Sequence, residues 1–289
     1  YRTGQFLLLG SASNTLLQQS AESLAGRVSY HELTPFTLDE VGQGALPALW
    51  LRGGFPESFL AASDRASLTW REDFIRTYLE RDIPSFGLRI PAETLRRFWT
   101  MLAHDQGGLL NAAKLAAGLG VSGQSVARYL DLLVDLMLVR RLPPWHANVG
   151  KRLVKSPKVY IRDAGLTHAL LGLETREALL GHPVVGGSWE GFCIENLIAA
   201  APRGTEASFY RSSAGAEIDL ILKLPDHRLW AIEVKRTTAP KVTRGFHIAA
   251  DDLAVVERIL VYAEDREVPG QGGVRAMPLA NAMDRLRAL

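Results

Sequence analysis

The sequence predicts an α/β chain of several domains, and three observations carry that expectation. Its 289 residues are more than one hydrophobic core usually serves, and 47% of them are hydrophobic, too many for wholesale disorder. In the last third, the apolar runs Ile218–Leu224 and Leu229–Val234 flank Pro225-Asp226-His227, which predicts a β-hairpin. In the middle, Asn111–Gly118, the tight turn Leu119-Gly120-Val121 and Ser122–Val139 predict a helix–turn–helix with Ser122 as N-cap.

The hairpin carries the chemistry. Side chains alternate faces along a strand, so Glu217, Asp219 and Ile221 share one face of the first strand. Glu233 and Lys235 share a face of the second, with Ile232 and Val234 opposite. A short connection makes the strands antiparallel neighbours and sets Asp219 close to Glu233, with Lys235 two residues on. Two carboxylates and an ammonium so placed suit a hard divalent cation and a phosphate, because Mg²⁺ prefers carboxylate and water oxygens. The same pattern also fits a solvated charged face of an amphipathic strand. Upstream, GGSWEGFCIENLIAA predicts a helix with two acids, Glu190 and Glu195. Five residues apart on a 3.6-residue helix, they point in different directions, and only one can face the hairpin.

Net charge is +2, which by itself demands no polyanionic partner. The charge distribution is more telling. Between Arg140 and Arg162 lie seven cations (Arg140, Arg141, Lys151, Arg152, Lys155, Lys158 and Arg162) and no acid. An acid-free basic ribbon directly after a helix–turn–helix predicts DNA binding. Ser122, Gln124, Ser125 and Arg128 occupy the exposed early part of the second helix, the part that faces the groove in such motifs. Lys151, Arg152 and Lys155 are the phosphate-contacting candidates of the ribbon, which would form the wing. A fold of this kind also serves protein contacts, with the ribbon solvated.

The single Cys193 excludes an intramolecular disulfide and points to a reducing, cytoplasmic compartment. The seven His show no metal-ligand spacing, and no apolar run reaches the length of a membrane span. Residues 5–40 predict a strand over Phe6–Leu9, a short helix, and a strand over Val28–Leu33. By itself this is an ordinary strand–turn–helix connection. Because Tyr1 lacks an initiator Met and runs straight into a buried-strand pattern, the chain is expected to begin inside a domain. Residues 41–105 predict helices, broken at Gly53-Gly54-Phe55-Pro56, with Arg71, Arg76 and Arg81 as solvated helix charges in preference to phosphate contacts. His182–Gly187 predicts a hinge. A helix around Asp251–Arg258 and strands at Ile259–Ala263 and Val274–Pro278 would complete an α/β sandwich.

Two resemblances refine this reading. Glu217-Ile218-Asp219, a strand, then Glu233-Val234-Lys235 resembles the core of the PD-(D/E)XK nuclease superfamily. The resemblance implies Asp219, Glu233 and Lys235 as catalytic residues. It places Glu190, within Trp189-Glu190-Gly191-Phe192, at the acidic position of the preceding helix, and makes Asp219, Glu233 and Glu190 ligands of Mg²⁺ if the site is active. The order of segments, with SLAGR followed by a strand and VKSPKVYIRDAGL further on, resembles a bacterial and archaeal AAA-type ATPase family carrying a nuclease-like C-terminal domain.

That second resemblance implies a C-terminal part of an AAA-type core over 1–60, a helical lid over 61–106, a winged helix-turn-helix with its linker over 107–174, and a PD-(D/E)XK nuclease-like α/β domain over 175–289. It implies Ser11 and Ser13 as sensor residues near ATP, Arg27 as a phosphate contact, and a homo-oligomer through the ATPase part. No G-x-x-x-x-G-K-[ST] loop occurs, so ATP belongs to a longer protein and no ATP hydrolysis is expected of this chain. The functions implied are an ATP-binding, DNA-binding protein with a nuclease-like domain, an active Mg²⁺-dependent nuclease, or a non-catalytic interaction scaffold.

Overall fold

The computed structural model describes residues 7, 29, 31–85, 90–145, 153–237, 241–264, 266–269 and 271–289. Ser11, Ser13, Arg27, Lys151 and Arg152 lie outside the described residues, as does most of the expected Phe6–Leu9 strand. Of the expected Val28–Leu33 strand, the described residues Ser29 and His31–Leu33 are not in a strand.

The first half is helical. Helix α1 (Leu46–Arg52) ends at Gly53, whose left-handed φ of 79° turns the chain towards Pro56. Helices α2 (Asp64–Thr77) and α3 (Ala92–His104) follow, then the pair α4 (Ala112–Leu119) and α5 (Gly123–Asp135). Local chemistry sets the bounds of that pair. The Asn111 side chain accepts from the Lys114 N–H at 3.0 Å to start α4, and Gly120 ends it in the left-handed region. Ser122 accepts from the Ser125 N–H at 3.1 Å to start α5. Helix α5 stops at Asp135 instead of running to Val139, because Met137 takes a φ of 58° and sends the chain into strand β1 (Val139–Leu142).

Strand β1 pairs antiparallel with β2 (Lys158–Ile161), and the capped helix α6 (Ala164–Leu170) follows. Apolar stripes of α2 to α6 close on one core, with Ile75, Phe98, Trp99, Val126, Leu130 and Leu133 buried beside Val159 and Ile161 of β2. Arg71 belongs to this interior and is not a solvated helix charge. Fully buried, it donates from Nη1 to the carbonyls of Gly165 (2.7 Å) and Leu51 (3.3 Å).

The second half is an α/β sandwich. Its elements run α7 (Val185–Ala200), β3 (Glu206–Arg211), β4 (Glu217–Lys223), β5 (Leu229–Lys235), α8 (Arg244–Asp252), β6 (Glu257–Tyr262), β7 (Val268–Pro269), β8 (Arg275–Met277) and α9 (Leu279–Arg287). The sheet order is β3-β4-β5-β6-β8-β7, with β5, β6 and β8 parallel and the other pairs antiparallel. One face, with Leu220, Leu222, Trp230, Ile232 and Val234, packs on α7 and α9. The other, with Ile221, Ala231 and Leu260, packs on Phe246, Ala249 and Ala250 of α8.

Two expected boundaries shift. The helix expected over Asp251–Arg258 lies earlier, capped by Thr243, because Ala254 turns at φ 50° and the chain then enters β6. The expected hinge is the start of α7. Two of its glycines serve close packing: a Cβ at Gly187 would stand 2.3 Å from the Gln106 carbonyl oxygen, and one at Gly191 would stand 2.8 Å from Gln106 Nε2.

The halves are tightly joined. Beyond β1, Pro144 bridges Phe209 and the Trp145 N–H donates to the Phe209 carbonyl at 2.6 Å. Leu153 bridges Ser212, and the Val154 N–H donates to the Arg211 carbonyl at 3.0 Å. The described flanks of the expected wing thus cover the edge of β3, a position that would otherwise offer unpaired backbone groups. Glu195 of α7 binds Arg140 of β1 through two contacts and Arg162, just after β2, at 2.9 Å. Among the described residues no helix is long and apolar enough to cross a membrane.

His168 of α6 sits where the halves meet. Its Nδ1 lies 2.9 Å from the Leu51 carbonyl and its Nε2 lies 2.7 Å from Ser188 Oγ, which also accepts from Trp50 Nε1 at 3.0 Å. Nδ1 carries the proton in this chain of bonds, and burial pushes the imidazole pKa down to about 4. The unfolded chain therefore binds the proton first as pH falls below ~6.5, and stability declines from there towards pH 4, by roughly 2 kcal/mol at pH 5. Denaturant midpoints taken between pH 7.5 and 5 should show this slope, and a His168→Gln variant should flatten it. Glu195→Ala is expected to destabilise the chain by about 3 kcal/mol, because it leaves the largely buried Arg140 guanidinium without its anion and Arg162 with Glu32 alone. Equilibrium denaturation at pH 7 measures that loss, and a change under 1 kcal/mol would contradict the pairing.

Candidate functional site

The candidate site lies where β4 and β5 part. Their regular register ends at Leu220 opposite Ile232. One residue further, the Asp219 carboxylate replaces a backbone acceptor, and its Oδ2 takes the Val234 N–H at 3.0 Å. Asp219 and Glu233 thereby turn towards each other, both buried. Lys235, half exposed, donates to Glu233 Oε1 at 2.7 Å. The apolar alternation of the two strands produces this arrangement. Leu220, Ile232 and Val234 are drawn into the core under α7, so the intervening positions face the opposite side.

Helix α7 supplies Glu190. Glu195 points to Arg140 and Arg162 instead, and these cations hold its carboxyl below the usual range despite burial. Glu190, Asp219, Glu233 and Lys235 line one cleft of about 330 Å³, together with Gly107, Gly108, Lys158, Arg211 and Glu217. The four residues expected in the site are therefore together.

The cation at the centre is Lys158, a residue that the sequence places in the wing. Its Nζ stands 3.0 Å from Glu190 Oε1, 3.0 Å from Glu217 Oε1 and 3.3 Å from Asp219 Oδ1. Burial alone would favour the neutral amine, but Glu190, Asp219 and Glu217 outweigh it and raise the Lys158 pKa, so the ammonium is charged. Tyr160, on the same face of β2, donates its hydroxyl to Glu190 Oε1 at 2.5 Å. Burial and the nearby Asp219 raise the Glu190 pKa, against the pull of Lys158.

Glu233 is the least satisfied member. Its Oε2 is buried with no hydrogen-bond partner. Burial, then Asp219, push its pKa up to about 7 against the pull of Lys235. An orphaned carboxylate oxygen of this kind is what a cation would satisfy. The full ligand set expected from the sequence is nonetheless not assembled. Among the described residues no three acidic, His or Cys side chains are grouped as they would be around a metal ion. The reason is geometric. Glu190 is turned to Lys158 and Tyr160, and the carboxylate oxygens stand 3.0 to 3.3 Å from the ammonium nitrogen at their centre, a wider shell than the ~2.0–2.1 Å metal–oxygen contacts of Mg²⁺. The expected use of Asp219, Glu233 and Glu190 as three metal ligands does not fit this arrangement.

Three residues of the cluster lay outside the expected set. Glu217 carried a signal, since period-two alternation places it on the face of Asp219. Lys158 and Tyr160 carried none, because their partners lie 30 to 61 positions away in sequence. Of the DNA-contact candidates, Gln124 and Arg128 are exposed on the first turns of α5 and Ser125 is half-buried at its cap. Lys155 is exposed. The ribbon is less open than its composition implies. Arg140 and Arg162 bind Glu195, Lys158 binds the carboxylate cluster, and Arg141 binds Asp131 at 2.5 Å.

The chain matches two families, each described as a domain of unknown function: DUF8612 over residues 43–177 and DUF4143 over residues 185–282. It is similar to the uncharacterized protein Mb2031c of Mycobacterium bovis and the uncharacterized protein Rv2008c of Mycobacterium tuberculosis. Each is 45% identical over 290 residues. Those matches take in 99% of this chain but 65% of each relative, so the chain spans just under two thirds of their length. No solved structure matches the chain.

Proposed function

We propose that this chain is part of an AAA-type ATP-binding protein that binds duplex DNA through a winged helix-turn-helix and carries a PD-(D/E)XK nuclease-like domain. The observation that carries the reading is the convergence of Glu190, Asp219, Glu233 and Lys235 on one cleft at the parting of two strands. The exposed face of α5 supports the DNA contact. Gln124 and Arg128 stand clear of the core, while Val126, Leu130 and Leu133 on the other side are buried. The relatives extend well beyond the matched region, which leaves room for the phosphate-gripping half of an ATPase and for oligomerisation through it. Of the two other readings, active cleavage and a non-catalytic scaffold, the second has the more specific support. With Lys158 seated among the carboxylates, the cleft offers no vacant cation position.

Binding of duplex DNA should be phosphate-dominated. Affinity should fall steeply between about 50 and 200 mM salt, since each neutralised phosphate contributes close to one unit of slope. Changing Lys151, Arg152 and Lys155 together to Ala should flatten the slope, and Gln124→Ala with Arg128→Ala should weaken binding at every salt concentration. Salt-independent binding, or none at low salt, would turn the reading towards a protein-contact unit. The chain as given is expected to turn over no ATP, because it lacks the backbone cradle and Lys that hold the phosphates. A steady-state phosphate-release assay on the purified chain checks this, and release abolished by Arg27→Ala would refute it.

A further inference from the structure

The ammonium of Lys158 has three N–H donors, and three carboxylate oxygens, from Glu190, Glu217 and Asp219, surround it at 3.0 to 3.3 Å. The side chain is 5% exposed, and its Nζ lies 5.7 Å from the centre of the Phe209 ring. Such a group is stable in the interior only when its charge is matched. Counting the groups that line the cleft, Glu190, Glu217, Asp219 and Glu233 face Lys158, Lys235 and the partly exposed Arg211. Arg211 reaches Glu217 only at 3.7 Å, and Glu233 Oε2 is still unpartnered. The cluster holds an excess of carboxylate even with Lys158 present, and without it Glu190, Glu217 and Asp219 would lose the one cation they share.

The strand that delivers Lys158 is held from several sides. The Gly107 N–H donates to the Val159 carbonyl at 2.9 Å, and the Val159 N–H donates to the Gly108 carbonyl at 3.1 Å. The Gln106 side chain pairs with both backbone groups of Ile161, at 2.8 and 3.0 Å. The lysine is therefore placed by a clamped strand and not by a free side chain reaching for anions.

We propose that Lys158 is the resident cation of this cluster, so that seating of the β1–β2 ribbon and binding of a hard divalent cation at Asp219 and Glu233 exclude each other. The cleft is then a socket for the ribbon, and it becomes a divalent-cation site only when the lysine is withdrawn or removed. This inference rests on the cleft geometry alone. It does not depend on DNA binding by α5 or on cleavage of any nucleic acid.

The test is Mn²⁺ binding to the full 289-residue chain, read by loss of the free-ion electron paramagnetic resonance signal at pH 7.5. Lys158→Met keeps an apolar stem of similar length and removes the charge. It is expected to bind Mn²⁺ at least tenfold more tightly than the unaltered chain. Asp219→Asn added to it should abolish the gain, and Lys158→Arg, which keeps the charge, should show none. If Lys158→Met unfolds in the absence of metal, refolding on addition of Mn²⁺, followed by circular dichroism, supports the same conclusion. Equal affinity of Lys158→Met and the unaltered chain overturns the proposal. So does a gain that survives Asp219→Asn, an equal gain in Lys158→Arg, or a variant that stays unfolded with millimolar Mn²⁺.

Discussion

The burial of one ammonium among carboxylates from one strand of the C-terminal sheet and one helix is the constraint around which the two halves are arranged. A lysine in such a place is tolerated only if its anions are present and positioned, and the anions are tolerated only if the lysine is. Lys158 comes from β2, Glu190 from α7, and Glu217 and Asp219 from β4. The ribbon therefore cannot leave the sheet without exposing a charge imbalance on both sides. Neighbouring features follow from the same closeness. Gly187 and Gly191 thin the face of α7 where Gln106 and Tyr160 approach, and Glu195, five residues after Glu190, gathers Arg140 and Arg162 on the other flank of the ribbon. One helix thus meets the ribbon with two acids, each taking different cations.

The sheet accommodates this polarity by segregating it. On one side of β4 and β5, Leu220, Leu222, Ile232 and Val234 are sealed beneath α7 and α9. On the other, Ile221 and Ala231 pack on α8 while Asp219 and Glu233, nearer the strand parting, are left to the cleft. The change from apolar to charged occurs within two residues on each strand. It coincides with the point where ladder pairing stops and a carboxylate takes over as the acceptor for Val234. Ending the ladder there lets the strands separate without leaving that N–H unsatisfied, and it opens the cleft. The strand parting and the acidic site are one device.

Much of this was legible in the sequence, and the part that was not has a physical reason. Period-two alternation and the Pro225-Asp226-His227 turn were enough to place Asp219 beside Glu233 with Lys235 further along. Helical periodicity was enough to separate Glu190 from Glu195. The cap at Ser122 is read from local composition because its bond is local. The failures involve contacts distant in sequence. Arg71 sits among charged neighbours on α2 and looks solvated. Its acceptors, the Leu51 and Gly165 carbonyls, lie 20 and 94 positions away, and no periodicity of α2 contains them. The end of α5 was missed because Met137, a residue with no special liking for positive φ, makes the turn into β1.

The basic ribbon shows most clearly how local charge and tertiary charge differ. Seven cations with no acid among them look like a surface waiting for a polyanion. Within the fold, Arg140, Lys158 and Arg162 bind acids that come from 32 to 61 positions later, in α7 and β4, and Arg162 also binds Glu32 near the start of the chain. Apart from Glu32, the anions that these three cations meet belong to the other half of the chain. A charge count over a window of twenty residues cannot contain such partners, whatever its threshold. Outward among the described candidates are Lys155 and the first turns of α5, where Gln124 and Arg128 project from a helix whose opposite face is locked in the core. The same tight pairing turns Arg140, Lys158 and Arg162 inward, so three of the seven cations counted in the ribbon serve the fold itself.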